Sequence, residues 1–343
     1  MEALDLKTRY PDNAVITDDA GRPSVMVYVP RFYLDEVIDG ASHLPHPAFV
    51  VGERVLDGVY ISKFQNVVID GRAYSLPDKD PAVRIDFDAA HAACTKKGAG
   101  FHLMNAAEWG AIALWCQKNG WLPFGNNDYG RDAQETQTTA TVSYCDEASG
   151  ICRVATGTGP VEWSHNRRAD GIYDLNGNVW EWNGGIRLVF GELQILPDPE
   201  KPDAWRAIDA VTGELIQPDG KGSTHNSVKL DFVEGAWQYV SASIASACDG
   251  FRFCAFVDVT AHPSVCRRAK EWLYALGCMP TPQTIVSKEV SMYANNGAAE
   301  RMAFRGGRWG QGANAGVFKT CFDDPRTYSG DAVGFRAAYY SLA

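Results

Sequence analysis

The residues best suited to chemistry lie in two segments of a 343-residue chain. Gly171 to Trp182 reads GIYDLNGNVWEW, in which Trp, Tyr and Leu alternate with Gly and Asn. Asn176-Gly177-Asn178 permits a left-handed turn, after which Val179, Trp180 and Trp182 can enter a core. Two readings stand for this segment. One is a tight corner locked by aromatic packing. The other is a calcium corner, in which Asn178 and Glu181 supply hard oxygens and backbone carbonyls complete the shell. The second segment, Phe304 to Tyr339, spaces apolar anchors (Phe304, Trp309, Val317, Phe318, Phe322, Val333 and Phe335) with small or polar residues. That spacing suits short strands pinned at intervals, with the side chains between them free to face outward.

Other chemistries find little support. The chain has no G-x-x-x-x-G-K-[ST], no G-x-G-x-x-G after a strand and no G-x-S-x-G. Its histidines are scattered, without H-x-x-x-H or H-E-x-x-H spacing. Nine cysteines cannot all pair, and no C-x-x-C occurs, so a complete disulfide framework or zinc ribbon is not expected. Cys145 and Cys152 bracket a turn and are the local candidates for a disulfide. Lys and Arg number 32 against 42 Asp and Glu, giving a net charge of −10, which would repel a phosphate backbone. No apolar run is long enough for a transmembrane helix, and the acidic, polar start lacks the pattern of a signal peptide. The expected location is cytoplasmic on synthesis, with association to a virion as the alternative.

The elements that must position these segments read as α+β. Residues 1–48 are expected to form an N-terminal arm for attachment or oligomerisation, because turn formers dominate their first half. Val25 to Leu34, Gly58 to Phe64 and Asn66 to Ile69 read as strands, the last ending on an Asp70-Gly71 turn. Asp86 to Lys97 and Asn105 to Lys118 read as helices, the second opened by Asn105 and Glu108 in capping-box spacing. Ser264 to Leu276 carries a third apolar stripe. Residues 120–170 offer few regular signals and imply long loops. Ten Trp and 33 Gly in a weakly charged chain fit a loop-rich fold packed by aromatics.

GIYDLNGNVWEW, followed downstream by RGG-x-W and GFR, resembles the formylglycine-generating, or sulfatase-modifying, branch of the C-type lectin fold. Phe101 to Trp109 resembles that family's helix entry, and Pro81 to Lys97 also fits. The resemblance spans about residues 50–343, implying a lectin-like domain at 49–343 with an inserted strand-rich segment at about 186–262. Enzymes of that branch hold copper on paired cysteines after RGG. Here that stretch has only Cys321, with Cys278 and Cys266 as candidate partners, so a copper oxidase is the alternative reading.

The C-terminal stretch resembles more closely the variable proteins of diversity-generating retroelements, such as phage tropism determinants. Arg305-Gly306-Gly307, Trp309, Asn314 to Phe318 and Gly334-Phe335-Arg336 carry that pattern. The resemblance implies a non-catalytic ligand- or receptor-binding protein, phage or prophage encoded, with a variable region at about 304–339. Carried onto this chain, the diversified positions are Arg308, Gly310, Gln311, Lys319, Cys321, Asp323, Asp324, Tyr328, Gly330, Asp331 and Ala332. The scaffold positions are Trp180, Trp182, Arg305, Trp309, Phe318, Phe322 and Phe335. Tyr328 is the expected hot spot, since Tyr gives large contact area at low entropy cost. The expected partner is a variable macromolecular ligand, a protein or cell-surface receptor, not nucleic acid or an inserted membrane, with homo-oligomerisation open. No cofactor is required, structural calcium aside. A fixed phage-tail component is a further alternative.

Overall fold

A computed structural model describes residues 2–137, 140–148 and 150–341. The β-branched run after Arg22 forms the strand Pro23–Pro30, with Val25 and Met26 wholly buried. It sits second in a five-stranded sheet ordered Ala14–Thr17, Pro23–Pro30, Gly58–Ser62, Ala337–Tyr339 and Phe101–Leu103. The expected N-terminal arm is therefore corrected. Residues 14–30 form two strands of a sheet that also holds the last strand of the chain. The polar turns that suggested an arm, Pro11 to Asn13 and Asp18 to Pro23, only flank these strands.

A larger, twelve-stranded sheet carries the two motif segments. Its central strand, Trp180–Val189, lies between Arg301–Gly306 and Glu192–Ile195, both antiparallel to it. Val333–Phe335 pairs with the same central strand in parallel, with Trp180 opposite Val333, Glu181 opposite Gly334 and Trp182 opposite Phe335. Gly316–Phe322 pairs beyond Arg301–Gly306, and Ser291–Ala294 beyond that. The segment at about 186–262 contributes strands including Lys229–Val233 and Ala236–Val240, which extend this sheet through Glu192–Ile195. The chain is thus α+β, mostly sheet with few helices.

The helices form where their signals lie. Asn105 caps Ala106–Lys118: its Oδ1 accepts the Glu108 N–H at 3.0 Å, and Glu108 Oε2 accepts the Asn105 N–H at 2.8 Å. Burying the helix aligns Trp109, whose indole N–H donates to the Val317 carbonyl at 2.6 Å and ties the helix to the C-terminal segment. Phe87–Thr95 begins at Asp86, which caps the Ala89 N–H. Arg267–Ala275 forms the third expected helix. Among the described residues no helix is long and apolar enough to cross a membrane.

Between Lys118 and Trp180 the regular elements among the described residues are the hairpin of Val142–Asp146 with Gly150–Val154 and a short turn of helix at Val161–Trp163. In that hairpin Cys145 pairs with Ile151, so Cys152 is displaced from it by one residue and lies across a bulge. Cys145 and Cys152 are both free thiols, so the candidate pair is not joined.

Candidate functional site

The corner before Trp180 turns as its sequence expects. Gly177 has φ +78° and Asn178 φ +60°, and a side chain on Gly177 would run into the Asn126 carbonyl, 2.1 Å from its Cβ position. The turn delivers Glu181 to the protein interior. Arg336, from the GFR motif, meets it there with two bonds: Nε to Oε2 at 2.6 Å and Nη2 to Oε1 at 2.6 Å. Arg336 also donates to the carbonyls of Ser62 at 3.0 Å and Tyr173 at 2.9 Å. Gln65 donates to Glu181 Oε1 at 3.0 Å and to the Val179 carbonyl at 3.0 Å. Burial of Asp174 nearby raises its carboxyl to about 6, against the pull of the Gly157 N–H and Arg336.

This network does not fit the calcium corner. Both Glu181 oxygens are taken by Arg336 and Gln65. The Asn178 Oδ1 accepts from Asn126 at 3.0 Å and from the Val154 N–H at 3.0 Å, while its Nδ2 donates to Gln65 and Val154. A hard cation would have to displace an arginine that already neutralises the carboxylate. Among the described residues no group of three or more His, Cys, Asp or Glu is arranged to hold a metal.

Arg305 plays a second anchoring role. Its guanidinium is wholly buried and donates to the carbonyls of Leu276 at 2.7 Å and Gly277 at 3.0 Å, closing the C-terminus of helix Arg267–Ala275. It also bonds Thr320 and reaches the Cys278 Sγ. Gly307, at φ +90°, then lets the chain turn against Ala315, 2.7 Å from where a Cβ would sit. Trp180, Trp182, Arg305, Trp309, Phe318, Phe322 and Phe335 are all buried.

Above this framework lies a cleft of about 370 Å³. Six of the candidate diversified positions line it: Arg308, Cys321, Asp324, Tyr328, Asp331 and Ala332. Trp180, Phe304, Trp309 and Val333 supply apolar wall, and Tyr144, Asp146 and Cys152 come from the hairpin. Tyr328 stands at the cleft 41% exposed, its ring edge-on to Phe304 at 5.9 Å. Arg308 lies over the face of Trp309 at 5.5 Å. Gln311 is adjacent, its Oε1 accepting the Arg308 N–H at 3.1 Å. Gly310 and Gly330 border the cleft-lining residues: a Cβ on Gly310 would meet the Tyr129 hydroxyl at 2.9 Å, and one on Gly330 the Tyr328 hydroxyl at 2.8 Å.

Lys319 departs from the expectation of an outward-facing side chain. The strand Gly316–Phe322 is covered on both faces, so alternation along it exposes neither. The Lys319 ammonium is buried beside Tyr293, at 4.6 Å, and Trp180, at 5.6 Å, and donates to Ser291 Oγ at 2.6 Å. Burial lowers it to about 8. Cys321 and Ala332 also carry little exposed surface, although both line the cleft. Asp323 is half-buried outside the cleft lining.

Burial raises Asp324 to about 6, helped by the charge of Asp323 and opposed by Arg301. Burial also pushes the Cys321 and Cys152 thiols up, which holds them protonated at neutral pH. Cys278 faces Arg305, and Cys266 caps its own helix through the Ala269 N–H, so neither of the expected thiol partners lines the cleft with Cys321. Cys152 does, a partner that sequence spacing did not indicate.

No family model and no curated protein matches the chain. Solved structures similar to it include PvdO from Pseudomonas aeruginosa, at 13% identity and a TM-score of 0.39, over 95% of this chain and 98% of that one. Treponema denticola variable protein 1 is similar at 13% identity and a TM-score of 0.36, over 95% and 98% of the two chains. The Major Tropism Determinant U1 variant is similar at 11% identity and a TM-score of 0.30, over 95% of this chain and 71% of that one.

Proposed function

We propose that the chain is a non-catalytic binding protein with a C-type lectin fold, and that the cleft of its C-terminal segment takes a macromolecular ligand, a protein or cell-surface receptor. One observation carries this reading. The segment divides into residues that hold the fold and residues that face a common cleft. Both Nη groups of Arg305 and all three nitrogens of Arg336 donate to buried partners, whereas Arg308, Asp324, Tyr328 and Asp331 meet in the cleft without closing a helix or tying strands together. Side chains of the second kind can change while the scaffold persists, as loop paratopes do on a rigid sandwich. The chemical mix of acid, base and aromatic suits one draw from a library better than a catalytic set.

In this reading the segment at about 304–339 is diversified by retroelement mutagenesis, the gene is phage or prophage borne, and the protein is carried on a virion or kept in the cytoplasm. Binding needs no cofactor, nucleic acid or membrane insertion. Sequencing the DNA around the gene tests this. The expected finding is a reverse-transcriptase gene and an imperfect repeat of the stretch encoding about 304–339, with differences concentrated at codons of the cleft residues. An isolated gene, identical across related genomes, would contradict diversification and favour a fixed structural component.

A copper oxidase of the formylglycine-generating type is favoured by one observation, that Cys152 and Cys321 line the same cleft. It requires both thiols to ionise onto the metal, and metal analysis of the purified protein separates it from the binding reading.

A further inference from the structure

We propose that the cleft selects cations: its ligand presents a lysine or arginine side chain to the space between Trp309, Tyr328, Asp324 and Asp331. This rests on the cleft being the ligand site and adds the chemical class it takes.

Charge is the first ground. Asp324 and Asp331 line the cleft opposite the guanidinium of Arg308. Among the described residues Asp324 and Asp331 have no ion-pair partner and Arg308 forms none. Two other guanidinium groups stand near these acids: Arg301, whose charge reaches Asp324, pairs with Asp249 at 3.6 Å, and Arg153 is committed to Asp80. Arg153 binds Asp80 two-pronged, at 2.9 and 2.7 Å, and gives Asp331 only a bond to its backbone carbonyl at 3.0 Å. An incoming cation would meet two carboxylates that stand outside any ion pair among the described residues, and a charge-assisted bond to one of them is stronger than a neutral one. An anionic ligand would meet like charge.

The rings are a second, independent ground. Three aromatic walls of the cleft already carry cations of the protein itself. Arg153 lies 4.1 Å from the Tyr144 ring, Arg308 5.5 Å from Trp309, and the Lys319 ammonium 5.6 Å from Trp180. The ring of Tyr328 stands at the rim with no such partner among the described residues. An aromatic face beside carboxylates, one of them half-buried, is an arrangement that holds ammonium and guanidinium groups. The cleft, at about 370 Å³, has room for one such side chain and part of its backbone.

The test is NMR of the full chain, following the indole N–H signals of Trp180 and Trp309 while Nα-acetyl amides of arginine, leucine or glutamate are added. Arginine amide is expected to shift these signals saturably in the millimolar range and glutamate amide to leave them unmoved. The double variant Asp324→Asn, Asp331→Asn should weaken arginine amide at least about fivefold. Equal binding of leucine or glutamate amide in the cleft would overturn the cation class and leave the cleft as a binding site. Arginine binding that is unchanged in the double variant, or silence from all three amides, would also overturn it. Whether the cleft residues are free to vary is read separately, by folding of a randomised library, so failure of that broader reading shows in a different experiment.

Discussion

Glu181 and Arg336 form a two-pronged ion pair at 2.6 Å on both arms, with both side chains almost wholly out of solvent. The pair joins the strand after the Asn-Gly-Asn corner to the residue that follows Val333–Phe335, which pairs in parallel with that same strand. Both ends of the C-terminal segment are thereby fixed: Arg305 at its start closes a helix, and Arg336 at its end neutralises Glu181. The stretch between them is thus held at both ends by buried guanidinium groups.

Removing one partner should therefore be severe. Arg336→Met leaves the Glu181 carboxylate buried with Gln65 as its remaining side-chain donor, and breaking such a pair costs about 3–5 kcal/mol. Urea unfolding at neutral pH measures this. A loss below about 1 kcal/mol would show that the pair does not anchor the segment.

Acidity should act on Asp324 with a definite sign. Its folded pKa, about 6, stands above the ordinary carboxylate value, so the folded state binds the proton more tightly than the unfolded one. The penalty of its charge is present above pH 6 and fades as pH falls toward 4. The groups around it are Asp323, Arg301, Asp331, Tyr328 and Cys321. Asp324→Asn should be more stable than the parent at pH 7.5, and that advantage should shrink by pH 4, as read by thermal melts at both values. An advantage that grows on acidification would contradict the assignment.

The thiols give a third check. Cys145 and Cys248 are exposed, Cys266 is half-buried and the remaining six are buried. Alkylation of the native protein should label Cys145 and Cys248 first, and all nine thiols should react after denaturation without reductant. A Cys145–Cys152 peptide pair that stays linked would contradict the hairpin register.

Metal content decides between binding and oxidation. With Cys152 and Cys321 held protonated by burial, the purified protein should carry no stoichiometric copper. Stoichiometric copper that is lost in both Cys321→Ala and Cys152→Ala would establish the oxidase reading instead.

Local signals in the sequence were legible wherever local chemistry decides the structure. The capping box of Asn105 and Glu108, the Asp70-Gly71 turn and the left-handed corner at Gly177 all formed at their expected positions. Burial that depends on distant partners was not legible. The strand that buries Val25 and Met26 pairs with Gly58–Ser62, far along the chain, so the polar turns around it read as an arm. Glu181 looked like a calcium ligand because its counter-charge, Arg336, lies 155 residues away. Lys319 was misplaced because its strand is buried on both faces, where alternation carries no information. The hairpin wall of Tyr144, Asp146 and Cys152 arises from a region with few periodic signals, and only docking of that hairpin brings it to the cleft.

The central claim is that the scaffold holds while the cleft residues change. Its most direct test randomises Arg308, Asp324, Tyr328 and Asp331 together and, in a matched library, Trp182, Arg305, Phe335 and Arg336, scoring each clone for soluble protein with a cooperative melt. The account predicts that most clones of the cleft library fold with melting temperatures near the parent's and that almost none of the scaffold library do. A cleft library that collapses as completely as the scaffold library would contradict it.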